Sequence, residues 1–208
     1  MEVQFYGANC VRLSSKKASI VIDDNLADLG VKSITKPGEI SLFTGKHGAL
    51  KVESKIIIDQ PGEYEVSGVS IQGIPARAHI DEEGTHNATI YKIDLEDVRI
   101  AVVGHVYPEL DSEQLEELNT IDLLIIPVGG NGYTLDPVGA LKLIKDIEPK
   151  IVIPTHYDDT SVKYEVPQQP LAEAIKGLAM EVGETTSKLK VRESDLSDVM
   201  RLVILEKQ

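Results

Sequence analysis

Four histidines follow strand-like apolar runs: His47 in "LFTGKHGAL", His79 in "SIQGIPARAHID", His105 in "RIAVVGHVY" and His156 in "KIVIPTHYDD". Imidazole is the commonest zinc ligand, and a tetrahedral site needs only three or four such groups. Strand ends are where mixed sheets place ligand sites, because loops converge there on a rigid support. A single histidine serves equally well as a loop or capping residue with a satisfied hydrogen bond. The four lie far apart in sequence, so their spacing alone does not join them. His86, in "GTHNATIY", has no comparable placement. Asp81, Asp158 and Asp159 are near enough to be partners that orient an imidazole, and Gly129, Gly130 and Asn131 mark another polar strand end.

The elements that must position these residues fall into two textures. The first part reads as short strands: "VQFYG", "VRLSS", "SIVID", "EISLFTG" and "KIIID", then two more in "GEYEVSGVSIQGIPA" and a hairpin across "LEDV". Beyond it, buried strands alternate with helices. Asp111 and Gln114 form a capping box before Leu115 and Leu118. Asp136 caps a second helix with Pro137 in its first turn, an apolar face of Val138, Leu141, Leu143, Ile144 and Ile147, and Pro149 as its stop. A third helix runs through Leu171, Ile175 and Leu178, and "SKLKVRE" and "MRLVILE" close the chain as strands. Many strands with a few helices imply an α+β protein of two sheets with helices packed outside.

The 208 residues can bury a substantial core, and no linker or repeat divides them, so one domain over residues 1–208 is expected. A net charge of -13 argues against nucleic acid or an anionic membrane as partner. Cys10 stands alone, which excludes an internal disulfide and suits a reducing cytoplasm. The N-terminal "MEVQFYGANC" lacks a signal-peptide pattern, and no apolar run approaches the roughly 18 residues of a membrane helix.

Together, "VQFYGANCVRL", "ASIVIDD", "DQPGEYEVSGVSIQGI", "LLIIPVGG" and "IEPKIVIPTHYD" resemble the metallo-β-lactamase superfamily over nearly the whole chain. The likeness is to the small bacterial metal-dependent hydrolase branch related to ascorbate-phosphate lactonases. It implies an αββα sandwich of two mixed sheets with outer helices, and two metals held by five motifs. The central motif of that family reads T-H-x-H-x-D-H. Here Thr44 and His47 match it, while Gly45, Ala49 and Leu50 replace a histidine, the aspartate and the last histidine. His79 and His156 fall on later ligand positions, and Gly104 is followed by His105 where the bridging aspartate belongs.

A dinuclear mechanism needs ligands for both ions and anionic groups between them. The resemblance therefore implies a protein that has lost dinuclear hydrolysis and serves a binding or regulatory role, with an unidentified small molecule or protein as partner. The alternative is a mononuclear zinc hydrolase in which His47, His79, His105 and His156 gather around one ion. The cofactor expected is accordingly none, or a single zinc.

Overall fold

A computed structural model describes residues 1–48 and 53–208. Ala49 and Leu50, two of the three replaced motif positions, lie outside the described residues. The chain begins with β1 (Glu2–Gly7), β2 (Cys10–Ser14), β3 (Ser19–Ile22), β4 (Ile40–Leu42) and β5 (Ile56–Ile58). A meander follows: β6 (Gly62–Val66), β7 (Val69–Ala76), β8 (Ala88–Leu95) and β9 (Val98–Val102). The alternating part is α1 (Ser112–Leu118), β10 (Leu123–Pro127), α2 (Pro137–Ile147), β11 (Ile151–Thr155) and α3 (Leu171–Leu178). The chain closes with β12 (Val182–Thr186), β13 (Leu189–Lys190) and β14 (Arg201–Leu205).

Among the described residues these strands form two mixed sheets, ordered β13-β1-β2-β3-β4-β5 and β12-β14-β11-β10-β9-β8-β7-β6. In the first, β1 to β3 pair antiparallel, and β4 and β5 join parallel. In the second, β6 to β9 are antiparallel, while β9, β10, β11, β14 and β12 run parallel. The pattern of each strand follows its coverage. β1 alternates half-buried and buried residues, whereas "LLIIP" and "IVIPT", covered on both faces, are buried throughout.

Side chains such as Phe5, Leu13, Ile20, Tyr91, Ile100 and Ile153 fill the space between the sheets. The other face of the second sheet buries Ile90, Leu124 and Val152 against Leu118, Leu143, Ile144 and Leu178, which come from all three helices. The outer face of the first sheet is covered differently. Leu26, Leu29, Val31 and Ile34 pack with Val162 and Tyr164 over Ala8, Cys10 and Val21, so irregular segments take the place of helices there.

Both helix caps form as the sequence requires. Asp111 and Gln114 complete a reciprocal capping box, and the Asp136 carboxylate accepts from Gly139 N at 2.7 Å. Val138 departs from the expected apolar face: it is 70% exposed, because the first turn of α2 carries it on the outward side while Leu143, Ile144 and Ile147 are buried. The third helix stops at Ala179 in a left-handed conformation, which leaves Val182 free to begin β12.

The segment over the first sheet is fastened by one buried carboxylate. Oδ2 of Asp24 accepts from Ser33 Oγ at 2.6 Å, Ile34 N at 2.9 Å, Thr35 N at 2.8 Å and Thr35 Oγ1 at 2.6 Å. Arg12 adds a bond to Ile34 O at 2.6 Å. Asp24→Ala leaves four donors without their acceptor, and an expected loss of about 2–3 kcal/mol follows from the cost of stranding buried polar groups. A thermal melt of the variant against the parent measures it, and an unchanged midpoint would show that the carboxylate does not hold the segment.

Candidate functional site

One rim of the sandwich gathers the strand ends. β3 delivers Asp23 in a left-handed conformation (φ 49°), β4 delivers Thr44, and β9 delivers Gly104 and His105. β10 leads to the loop bearing Tyr133, and β11 ends at His156, also left-handed (φ 53°). Backbone bonds lock these ends together. His79 N donates to His105 O at 2.8 Å, Thr89 N to Thr44 O at 2.8 Å, and His156 N to Ala8 O at 2.8 Å.

A cavity of about 380 Å³ opens at this rim, and His47, His79, His105 and His156 all line it. The four strand-end histidines are therefore brought to one place by the fold. His86 does not line the cavity.

Their ring environments differ. The His105 and His156 rings meet edge-on, 4.5 Å between centroids and at 86°. Tyr133 lies 5.0 Å from His105 and 5.9 Å from His156, and Tyr164 lies 5.0 Å from His156. Gln168 donates through Nε2 to Val166 O, so its Oε1 is the acceptor for His156 Nδ1–H at 3.2 Å, leaving the lone pair on Nε2. Asn9 accepts through Oδ1 from Thr155 Oγ1 at 2.9 Å, which turns its amide nitrogen to His105 Nε2 at 3.1 Å. This network assigns the proton of His105 to Nδ1, a buried atom with no hydrogen-bond partner among the described residues.

His79 Nδ1 lies 3.4 Å from Val106 O. His47 has both nitrogens engaged, Nδ1 with Gly48 O at 2.7 Å and Nε2 with Asp59 at 3.1 Å, and its ring stacks on Phe43 at 3.9 Å.

Burial sets the charge of the site. The His105 imidazole is held well below its ordinary pKa by burial, with His156 and His79 adding to the effect. Burial lowers His156 to about 4, although its bond to Gln168 opposes the shift. Both rings are neutral at pH 7. Asp23 is pushed the other way, to about 6: burial outweighs the two 2.7 Å bonds from Thr44 N and Oγ1 and the pull of His47. Burial, aided by the Glu165 carboxylate, also raises the Tyr133 hydroxyl.

The carboxylates expected to orient imidazoles do other work. Asp81 accepts from Ala78 N and from Asn87, ordering the turn that follows His79. Asp159 pairs with Lys207 at 2.7 Å. Asp158 is fixed through its backbone, its N–H donating to Gln169 O at 2.9 Å. The carboxylate that does reach a ring is Asp59, just beyond β5, which the sequence reading did not single out. Asn9, Gln168, Tyr133 and Tyr164 were missed as well. Only Tyr133 carried a hint, since it closes the "GGNGY" strand end. Asn131, in that loop, bonds Pro167 O.

As arranged, these donors do not fit a metal centre. Metal ligation requires a lone pair, and His105 presents its proton while both nitrogens of His47 are occupied. Among the described residues, no three His, Cys, Asp or Glu groups are placed to share an ion.

The two mixed sheets and the histidine-lined rim define a metallo-β-lactamase fold. The β-lactamase superfamily domain model matches residues 2–156, and the chain belongs to that family. It is similar to a UPF0173 metal-dependent hydrolase of Thermococcus onnurineus, 38% identical over 101 residues, which cover 47% of this chain and 44% of that protein. The chain thus spans under half the length of that relative. A UPF0173 metal-dependent hydrolase of Thermus thermophilus is 26% identical over 194 residues, covering 76% of this chain and 84% of that protein.

Among solved structures, a Thermotoga maritima protein described as a Zn-dependent hydrolase of the metallo-β-lactamase superfamily superposes with a TM-score of 0.77 at 23% identity. It covers 99% of both chains. A metal-dependent hydrolase structure from Parabacteroides distasonis gives 0.67 at 19% identity, over 99% of this chain and 93% of that one. At such identities the likeness establishes the fold. Among the described residues, no helix is long and apolar enough to cross a membrane.

Proposed function

We propose that this chain is a metal-dependent hydrolase relative that no longer assembles a dinuclear hydrolytic centre. In this reading it uses the inherited cavity to bind a small molecule or a protein segment, in a binding or regulatory role. The observation that carries the reading is the engagement of the ring nitrogens. His47 is turned to Asp59 and Gly48, His105 is held by Asn9 with its proton on the free nitrogen, and the bridging position offers an imidazole instead of a carboxylate. Two-metal hydrolysis needs an anionic group there to hold both ions and the attacking water.

Metal content of protein purified without chelator tests the reading, together with assays on phosphoester and lactone substrates. Well under one zinc or manganese per chain and no hydrolysis above the buffer rate are expected. Two ions per chain with hydrolysis would overturn it.

A second reading, a mononuclear hydrolase with a single zinc among His47, His79, His105 and His156, is favoured by one feature. The rings of His79, His105 and His156 each have one nitrogen outside the hydrogen bonds described above. It requires the rings to close on a common point, which they do not share as placed, and the Asn9 amide to turn over, so that His105 Nε2–H donates to Oδ1 and Nδ1 offers its lone pair. Under this reading the protein carries one zinc per chain, and a His47→Ala, His79→Ala double variant loses it. Unchanged zinc content in the double variant rules the reading out.

A further inference from the structure

We propose that residues 159–168 form a lid over the cavity, latched by the ion pair of Asp159 with Lys207, and that its opening admits a ligand to the buried histidine beneath. The proposal concerns entry to the site and goes beyond either reading of what the site holds.

The segment is closed at its base. Asp158 N donates to Gln169 O and Gln169 N to Gly129 O, each at 2.9 Å, so the two ends of the loop meet beside the strand ends that bear the site. Between them, residues 159–168 contain no helix or strand. A loop of this length whose ends adjoin is a compact Ω-loop, and its neck is where a turning motion would be absorbed.

Its inner side covers the site. Tyr164, Glu165, Val166 and Gln168 all line the cavity. The Tyr164 ring lies 5.0 Å from that of His156, and Gln168 Oε1 is 3.2 Å from His156 Nδ1. Beneath them His156 is only 4% exposed. A molecule larger than water reaches that ring only when the segment lifts.

Its outer side is held lightly. At the tip, Lys163 N donates to Leu29 O at 3.0 Å, the Lys163 stem lies over Gly30, and Val162 enters the cluster of Val21 and Leu26. Tyr164 Oη donates to Tyr157 O at 2.9 Å, and Asn131 Nδ2 to Pro167 O. Asp159 pairs with Lys207 Nζ at 2.7 Å, and Ser161 Oγ bonds the same ammonium. Lys207 is a fixed post: it lies just beyond β14, bridges to Phe5 through its backbone, and runs its stem beside Gly7. Ser161, Lys163 and Pro167 are exposed, so water can take over most of the bonds that opening breaks. A segment tied by so little buried apolar contact opens well below the cost of global unfolding.

Site-resolved hydrogen exchange and diethylpyrocarbonate labelling test this on the full chain, dialysed against chelator so that no ion competes for the imidazoles. In the parent, the Lys163 amide should exchange at least about 100-fold faster than the Ile153 amide of β11, the mark of an opening that leaves the sheets intact. Lys207→Met removes the charge of the latch and keeps an unbranched stem. It should raise Lys163 exchange and His156 labelling together, each about 5-fold, the upper end of the scale for a partly exposed ion pair. His86, exposed and away from the cavity, should label at an unchanged rate, and circular dichroism confirms the fold of the variant. Lys163 exchange as slow as that of Ile153 would overturn the proposal, as would faster Lys163 exchange with unchanged His156 labelling. No change at either position in Lys207→Met would overturn it too.

Discussion

Replacing Gly104 with alanine is expected to lower the unfolding free energy by about 4 kcal/mol, and the melting temperature by about 10 °C for a chain of this size. Gly104 adopts φ +58°, where an L side chain is strained. Its added Cβ would also stand 2.1 Å from Thr44 Oγ1 and 2.5 Å from Thr44 Cβ. Thr44 has nowhere to go. It is buried, its N and Oγ1 both hold Asp23 at 2.7 Å, and its carbonyl accepts from Thr89 N. The backbone at residue 104 must therefore retreat and carry His105 away from Asn9. Gly45→Ala is the matched control, because among the described residues a Cβ there meets nothing within 4 Å, and its expected change is within about 0.5 kcal/mol. Thermal and denaturant melts of the two variants decide the matter. Equal losses would mean that close approach at Gly104 is not what seats the His105 strand end.

The same control bears on the motif. Gly45 stands where the resemblance places a histidine, and a Cβ there would meet nothing within 4 Å among the described residues. A side chain can therefore begin at position 45 without a clash at its Cβ among the described residues. At Gly104 the packing does impose a residue, and the two glycines of one site differ for physical reasons that only coordinates reveal.

What could be read from the chain beforehand follows the range of the interactions involved. "LLIIP" and "IVIPT" were legible as buried strands because their apolar runs are bounded and uninterrupted, and the caps at Asp111 and Asp136 were legible because they act within three residues. Each histidine was legible as a strand-end residue, but their spacing did not join them, and only the family resemblance pointed to a common site. The partners of the rings were not legible. Asp59 and Gln168 each lie 12 residues from the histidine they bond, and Asn9 lies 96 residues from His105, with no periodicity linking any pair. The covering of the first sheet was hidden for a similar reason. Leu26, Leu29, Val31 and Ile34 have no regular secondary structure to announce them, and their attachment depends on Asp24 collecting donors nine to eleven residues away.

Asp23→Asn is expected to make the protein more sensitive to acid, with the stability gap between parent and variant widening by about 3 kcal/mol from pH 7 to pH 4. Folding raises the Asp23 pKa from 3.8 to about 6, so in this window the folded state holds a proton that the unfolded chain has released. Its contribution is fully present below about pH 4 and is lost as pH rises through 6. His156 has the opposite sign. Folding lowers it from 6.5 to about 4, so its contribution is present above 6.5 and is lost as pH falls toward 4, by about 3 kcal/mol on the same scale. His105 is shifted in the same direction as His156. In the parent, proton uptake by Asp23 on acidification offsets much of the cost of keeping the two rings neutral. Asparagine cannot take up that proton, and the histidine term then acts alone. Asp122 and Asp159, which hydrogen bonds hold below the usual carboxylate range, lose their contribution at still lower pH and do so equally in both proteins. Denaturant midpoints at pH 7, 6, 5 and 4 for parent, Asp23→Asn and His156→Asn separate these terms. The Asp23 variant should diverge downward below pH 6 and the His156 variant upward. Parallel curves for the parent and the Asp23 variant would show that the carboxyl group of Asp23 is ionised in the folded protein throughout, and that the site bears a fixed negative charge beside Thr44.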